Sequence, residues 1–174
     1  MSKLNVKCTT LEGVLVIEPP TVFDDFRGTY IETYNEVLYC QAGIEVKFVQ
    51  DDISISTKHV LRGIHGDDKT WKLVSCLYGE FYLVIVDCNR QSSDFGNWES
   101  FTLSDTNRIQ VLVSPKYGVA HLILSEKAIF HYKQSTYYDR ESQFTFRWDD
   151  PNFGIEWPIK DPIISKRDED DQNH

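Results

Sequence analysis

The sequence predicts an all-β fold, a sandwich or a barrel. Three observations carry that reading. Short apolar runs recur at roughly ten-residue intervals, parted by Gly, Pro, Asn, Asp and Ser. Aromatic residues make up 13% of the chain, with nine Tyr and ten Phe, and such residues suit half-buried pleated surface. There is a single Met and little Ala-Leu-Glu-Lys periodicity, so helices should be few and short.

The runs justify themselves in order. "GVLVIE" at 13–18 stops at the turn signal Pro19-Pro20, and "GTYIETY" follows at 28–34. Asn35 then reads as a helix cap before Val37, Leu38 and Cys40, which predicts a short helix over 35–42. "VKFVQDDISI" at 46–55 is the next strand. The stretch "VLRGIHGDDKTWKLV" at 60–74 opens like a buried strand and closes like another, with a tight polar loop between. That second strand extends as "KLVSCLY" at 72–78, and Gly79 separates it from "EFYLVIVDC" at 80–88. After the polar "NRQSSDFGN" come "WESFTL" at 98–103, "IQVLV" at 109–113, "VAHLIL" at 119–124 and "AIFHYK" at 128–133. The last ten residues, "SKRDEDDQNH", read as a solvated tail.

A length of 174 residues fits one domain with a sizeable core, spanning 1–174. The formal net charge of −9 argues against a nucleic-acid or anionic-membrane partner, but leaves room for a small anionic ligand held by a local basic cluster. The apolar runs are too short for a transmembrane helix, and "MSKLNVKCTTLEG" lacks the apolar centre of a signal peptide. Cys8, Cys40, Cys76 and Cys88 are widely spaced without a C-x-x-C, which reads as reduced thiols in a cytoplasmic protein.

Several strand positions carry polar groups where a core would want apolar ones. Arg62 and His65 are three apart, so a regular strand would point them to opposite faces. Gly63 between them permits a bulge that turns both inward. Lys72 opens the next strand, His121 interrupts "VAHLIL", and Tyr132 lies in "IFHYK". Taken singly, each has a structural reading: a packed histidine, a core tyrosine, a snorkelling lysine, an arginine in a salt bridge. His59 and His131 read as exposed. Their joint occurrence at strand ends favours a site. The five histidines are scattered, with no His-x-His and no cysteine pair at ligand spacing, so no metal site is expected. With no P-loop, Rossmann fingerprint or G-x-S-x-G either, a cofactor-free mechanism is the simpler expectation.

At this point the chain resembles the dTDP-4-dehydrorhamnose 3,5-epimerase family along nearly its whole length. The resemblance is carried in order by "FDDFRGTYIETY" (23–34), "FVQDDISIS" (48–56), "VLRGIH" (60–65), "KLV" (72–74), "GEFYLVIVD" (79–87), "FGNW" (95–98), "LSDTNR" (103–108), "GVAHLILSE" (118–126), "YKQSTYYD" (132–139), "WDDPNFGIEWP" (148–158) and "ISKRD" (164–168). It implies a metal-free, cupin-like jelly-roll β-sandwich that forms homodimers. Its implied substrates are nucleoside-diphosphate 4-keto sugars made for bacterial surface polysaccharides. By the same resemblance His65 is the catalytic base, Asp168 orients it, Tyr132 is the proton donor and Lys72 completes the catalytic set. Arg27, Glu32, Gln50, Asp52, Arg62, His121 and Arg167 are implied to line the substrate or nucleotide site, and Gln143 stands where the family commonly has a glutamate.

The chain departs from the family's pattern in three further places. The loop from His65 to Lys72 is short and reads "GDDKTW" where an aromatic and a glutamine are common. An asparagine is replaced by Asp52, and a lysine by Arg167. The "RGIHGD…KTWKLV" version resembles a branch acting on modified heptoses or other capsule sugars, some carried on GDP. Two other functions compete: a non-catalytic nucleotide-sugar-binding β-sandwich, and a 3,4-ketoisomerase on a related fold, which typically carries the His-x-His absent here. If Asp168 orients His65, "SKRD" must fold back on the barrel, and disorder should begin only at about residue 169.

Overall fold

In the computed structural model, residues 3–18 and 22–169 are described. The expected turn at Pro19-Pro20 and half of the expected tail, residues 170–174, lie outside them. Thirteen described strands occur in this order: β1 (Asn5–Cys8), β2 (Val14–Glu18), β3 (Val22–Asp25), β4 (Gly28–Ile31), β5 (Gln50–Thr57), β6 (Leu61–Gly66), β7 (Lys72–Tyr78), β8 (Glu80–Asp87), β9 (Trp98–Ser104), β10 (Gln110–Val113), β11 (Tyr117–Ile123), β12 (Lys127–Gln134) and β13 (Phe144–Thr145). Two short α-helices join them, α1 (Glu36–Gln41) and α2 (Lys166–Glu169).

The strands form two facing sheets and a separate hairpin. One sheet runs β1-β2-β10-β7-β12-β5, the other β13-β6-β11-β8-β9, and β3 pairs only with β4. Period-2 alternation decides what lies between the sheets. Phe81, Leu83 and Ile85 of β8 meet Val74, Val111, Val113 and Phe130 of the six-stranded sheet in one buried cluster. The outer faces are covered separately. Tyr39 of α1 packs on Ile17, Leu73 and Leu112 outside the six-stranded sheet. Phe146 and Phe153 pack on Ile64, Val86 and Ala120 outside the other.

Asn35 caps α1 as its side chain predicts, accepting from Val37 N at 3.1 Å and Leu38 N at 3.3 Å. The strands β1, β3 and β13 carry no readable pattern. β1 and β3 are mostly exposed, and β13 has two residues. Likewise 46–49 and 32–34, expected as strand, lie outside the strands, since β5 begins at Gln50 and β4 ends at Ile31. The tail expectation is corrected at its start. Residues 166–169 form α2, and Asp168 is buried, because its carboxylate has a partner inside the sandwich.

Alternation along β5 is inverted relative to a core strand. Gln50, Asp52, Ser54 and Ser56 pair in register with the inward Gln134, Tyr132, Phe130 and Ala128 of β12. Ile53 and Ile55 therefore point outward and are 56% and 53% exposed. One end of the space between the sheets is thus apolar and filled, while the β5 end is polar. The cavity lies at that polar end.

Candidate active site

The cavity begins with a break in register. In the β6–β11 ladder Val119 pairs with His65 but His121 pairs with Arg62, so three steps on β6 oppose two on β11. Gly63 absorbs the extra residue at φ +118°, and a Cβ there would lie 2.5 Å from the Val119 carbonyl oxygen. Only glycine takes both the dihedral and the close approach. The bulge turns Arg62 and His65 to the same side, and both line a cavity of about 300 Å³.

On the wall formed by the five-stranded sheet, His65 Nε2 lies 2.6 Å from Asp168 Oδ1. Burial pushes the Asp168 carboxyl up. Its hydrogen bond to His65, the imidazole's charge, Ser165 and the Gly63 N–H outweigh that and hold it below the ordinary carboxylate range. In its neutral form His65 donates from Nε2 to this carboxylate and keeps its lone pair on Nδ1. His121 sits on the same wall, 5% exposed, and stacks on Phe130 of the opposite sheet at 3.9 Å and 7°. Burial first, then the charges of Arg62 and His65, push its pKa down to about 3. Its ring thus forms a packed floor between the sheets.

The facing wall supplies Lys72 from β7 and Tyr132 from β12. Burial lowers the Lys72 pKa; the Asp67 carboxylate opposes this and Arg167 adds to it. Burial likewise raises Tyr132, helped by the nearby charges of Asp52 and Tyr138, to about 12. The rim holds Arg62, whose Nε donates to Ser56 Oγ at 3.1 Å, and Arg167, whose Nη1 donates to the Tyr138 hydroxyl at 3.4 Å. Gln143 closes one side and donates to buried Asp67 Oδ2 at 2.7 Å.

Eight of the twelve residues singled out in the sequence therefore line one cavity: His65, Tyr132, Asp168, Lys72, Arg62, His121, Gln143 and Arg167. Gln50 and Asp52 stand on the edge strand beside Tyr132 but outside the lining, their polar atoms bonded to each other and to Gln134. Arg27 and Glu32 are outside too. Arg27 lies on the exposed β3–β4 hairpin, held by Asp25 at 2.6 Å. Ser54, Phe130, Gln134, Tyr138 and Ser165 also line the cavity without having been singled out. Gln134 was findable, as a glutamine two residues beyond Tyr132 on the same strand face. His131, expected on an exposed face, is only 14% exposed at its side chain, because it leans on Asp51 at 3.2 Å. Among the described residues, no group of three or more His, Cys, Asp or Glu is arranged to hold a metal ion.

This geometry has close relatives. A dTDP-4-dehydrorhamnose 3,5-epimerase from Methanothermobacter thermautotrophicus is 39% identical over 165 residues, covering 92% of this chain and 89% of that one. A dTDP-4-dehydrorhamnose 3-epimerase from Streptomyces niveus is 32% identical, covering 92% and 79%. Among solved structures, the dTDP-6-deoxy-D-glucose-3,5-epimerase of Legionella pneumophila in complex with dTDP-4-keto-L-rhamnose superposes with a TM-score of 0.89 at 35% identity, covering 95% and 90%. The sequence model described as dTDP-4-dehydrorhamnose 3,5-epimerase matches residues 8–173. The chain belongs to the dTDP-4-dehydrorhamnose 3,5-epimerase family.

Proposed function

We propose that the protein inverts C3 and C5 of a dTDP-linked 4-keto-6-deoxy sugar. The observation that carries this reading is the disposition of two groups across one cavity. A carboxylate-paired imidazole stands on one sheet and a protonated phenol on the other. Epimerisation needs that pair, a base on one face of the ring and an acid on the other.

The 4-keto group acidifies the protons on C3 and C5, because the carbanion delocalises into an enolate. His65 Nδ1 takes the proton, the C–H electron pair moves into the enolate, and Asp168 stabilises the imidazolium. The Lys72 ammonium lies beside the developing oxyanion and lowers its energy. Tyr132 delivers its hydroxyl proton to the opposite face of the carbon. The imidazolium then returns its proton to water, and water reprotonates the tyrosinate. Arg62 and Arg167 hold the diphosphate through charge-assisted hydrogen bonds.

Incubation with dTDP-4-keto-6-deoxyglucose in deuterated water, followed by NMR, tests this. Label at C3 and C5 with inversion and a carbonyl still at C4 is the expected result. No label would leave a non-catalytic binder, and a carbonyl moved to C3 would leave a ketoisomerase. Inversion at C3 alone would match the activity named for the Streptomyces niveus relative. Running GDP-linked 4-keto heptose in parallel tests the second substrate reading, which rests on the short "GDDKTW" loop.

The working unit in this proposal is a homodimer in the cytoplasm, where its four thiols, all free, stay reduced. Ile53 and Ile55 form an exposed apolar stripe on edge strand β5, and Phe23, Phe26 and Tyr30 protrude from the hairpin at 64%, 99% and 70% exposure. Such surface calls for a cover. A partner docked there brings its own hairpin, and with it Arg27, to the cavity that lacks it.

A further inference from the structure

We infer that Asp52, through its charge beside Tyr132, sets how often an enolate is inverted rather than reprotonated on its original face. The inference rests on Tyr132 being the proton donor.

Asp52 and Tyr132 are direct cross-strand partners of the β5–β12 ladder, with side chains on the same inward face. The aspartate is fixed in place. Its Oδ2 accepts from Gln50 Nε2 at 2.8 Å and from Gln134 Nε2 at 2.9 Å. Gln50 is itself pinned, because its Oε1 accepts from the Tyr138 N–H at 3.0 Å. Gln134 is 2% exposed. These bonds hold the carboxylate in place beside Tyr132.

A tyrosinate formed beside a carboxylate is destabilised by like charge, and burial weakens the screening that would relieve it. That slows donation from Tyr132 relative to return of the proton from His65. The raised pKa of Tyr132, to which the Asp52 charge contributes after burial, agrees with this geometry. The effect is peculiar to a carboxylate. An asparagine at 52 would present a neutral amide, which does not repel a tyrosinate.

The test compares two rates in deuterated water: label uptake with retained configuration, and inversion. Asp52→Asn is expected to raise the ratio of inversion to retentive exchange by at least about threefold. That is the half-power of a tenfold change in acid strength for one pKa unit. Asp52→Ser also removes the charge, so it should move the ratio the same way. A merely structural role would depress both rates together and leave their ratio alone. An unchanged or lower ratio in both variants overturns the inference. Tyr132→Phe, measured alongside, separates this from failure of the parent reading: if it leaves inversion intact, Tyr132 is not the donor.

Discussion

His65 and Tyr132 line one cavity from opposite sheets, and under the proposed mechanism their loss should differ in kind. His65→Asn removes the base, so no enolate forms, and deuterium uptake at both carbons should fall by at least about 100-fold. Tyr132→Phe leaves the base and the packing. Label should still enter with retention at one carbon or more while net inversion falls. Asp168 carries a separate signature. Its folded pKa is depressed, so its stabilising bond is fully present above the unfolded carboxylate value of about 3.9 and is lost as pH falls through the lower folded value. Wild-type protein should therefore lose its stability advantage over Asp168→Asn below about pH 4, read by thermal melts across pH. The sequence exposed His65 and Tyr132 as polar groups within strands, whereas Asp168 came from the family resemblance alone. It could not show that Gln143 and the departing loop are one feature. They are 76 residues apart in sequence, and only the fold brings Gln143 Nε2 within 2.7 Å of Asp67 Oδ2.

Two elements carry the dyad, a bulge and a terminal helical turn. Gly63→Ala would set a Cβ 2.5 Å from the Val119 carbonyl oxygen and 2.6 Å from Ala120 Cα, at a dihedral that L-residues rarely adopt. The strain should cost about 1–3 kcal/mol of stability. Turnover should fall further than stability, because the same bulge aims His65. Melting and kinetics on one preparation check both. Truncation before Ser165 deletes Asp168 and should abolish turnover, whereas truncation after Glu169 should be tolerated. Full activity of the shorter chain would rule out the dyad. The bulge was legible from an arginine and a histidine at a spacing that only an extra residue reconciles. Helix α2 was not, since "KRDE" has no apolar periodicity and takes its shape from one buried carboxylate. The hairpin strand β3 escaped notice for a related reason. All four of its residues are exposed, so no alternation marks it.

At the scale of the whole molecule, the proposed homodimer makes a claim about where Arg27 acts. Within one chain it lies on the exposed hairpin, tied to Asp25, while the cavity it is expected to serve lies between the two sheets. If the partner's hairpin completes each cavity, every active site joins His65 of one protomer to Arg27 of the other. Arg27→Ala should then weaken substrate binding by roughly tenfold or more, the loss of a charge-assisted hydrogen bond, while His65→Asn is inactive. Coexpressing the two variants gives a sharper reading than either alone. In a mixed dimer, one cavity pairs an intact His65 with an intact Arg27, and the other carries both defects. Random assembly yields mixed dimers half the time, so about one site in four should be fully wild type. At low substrate concentration the mixture should recover activity well above the mean of the two parents, with kinetics showing a wild-type KM component. If Arg27 acts within its own chain, every cavity in the mixture carries one defect, and mixing adds nothing. Ile53→Asp and Ile55→Asp together supply the control. They should give monomers by analytical ultracentrifugation at micromolar concentration and remove the recovery. Recovery that persists in monomers would place Arg27 outside any shared site.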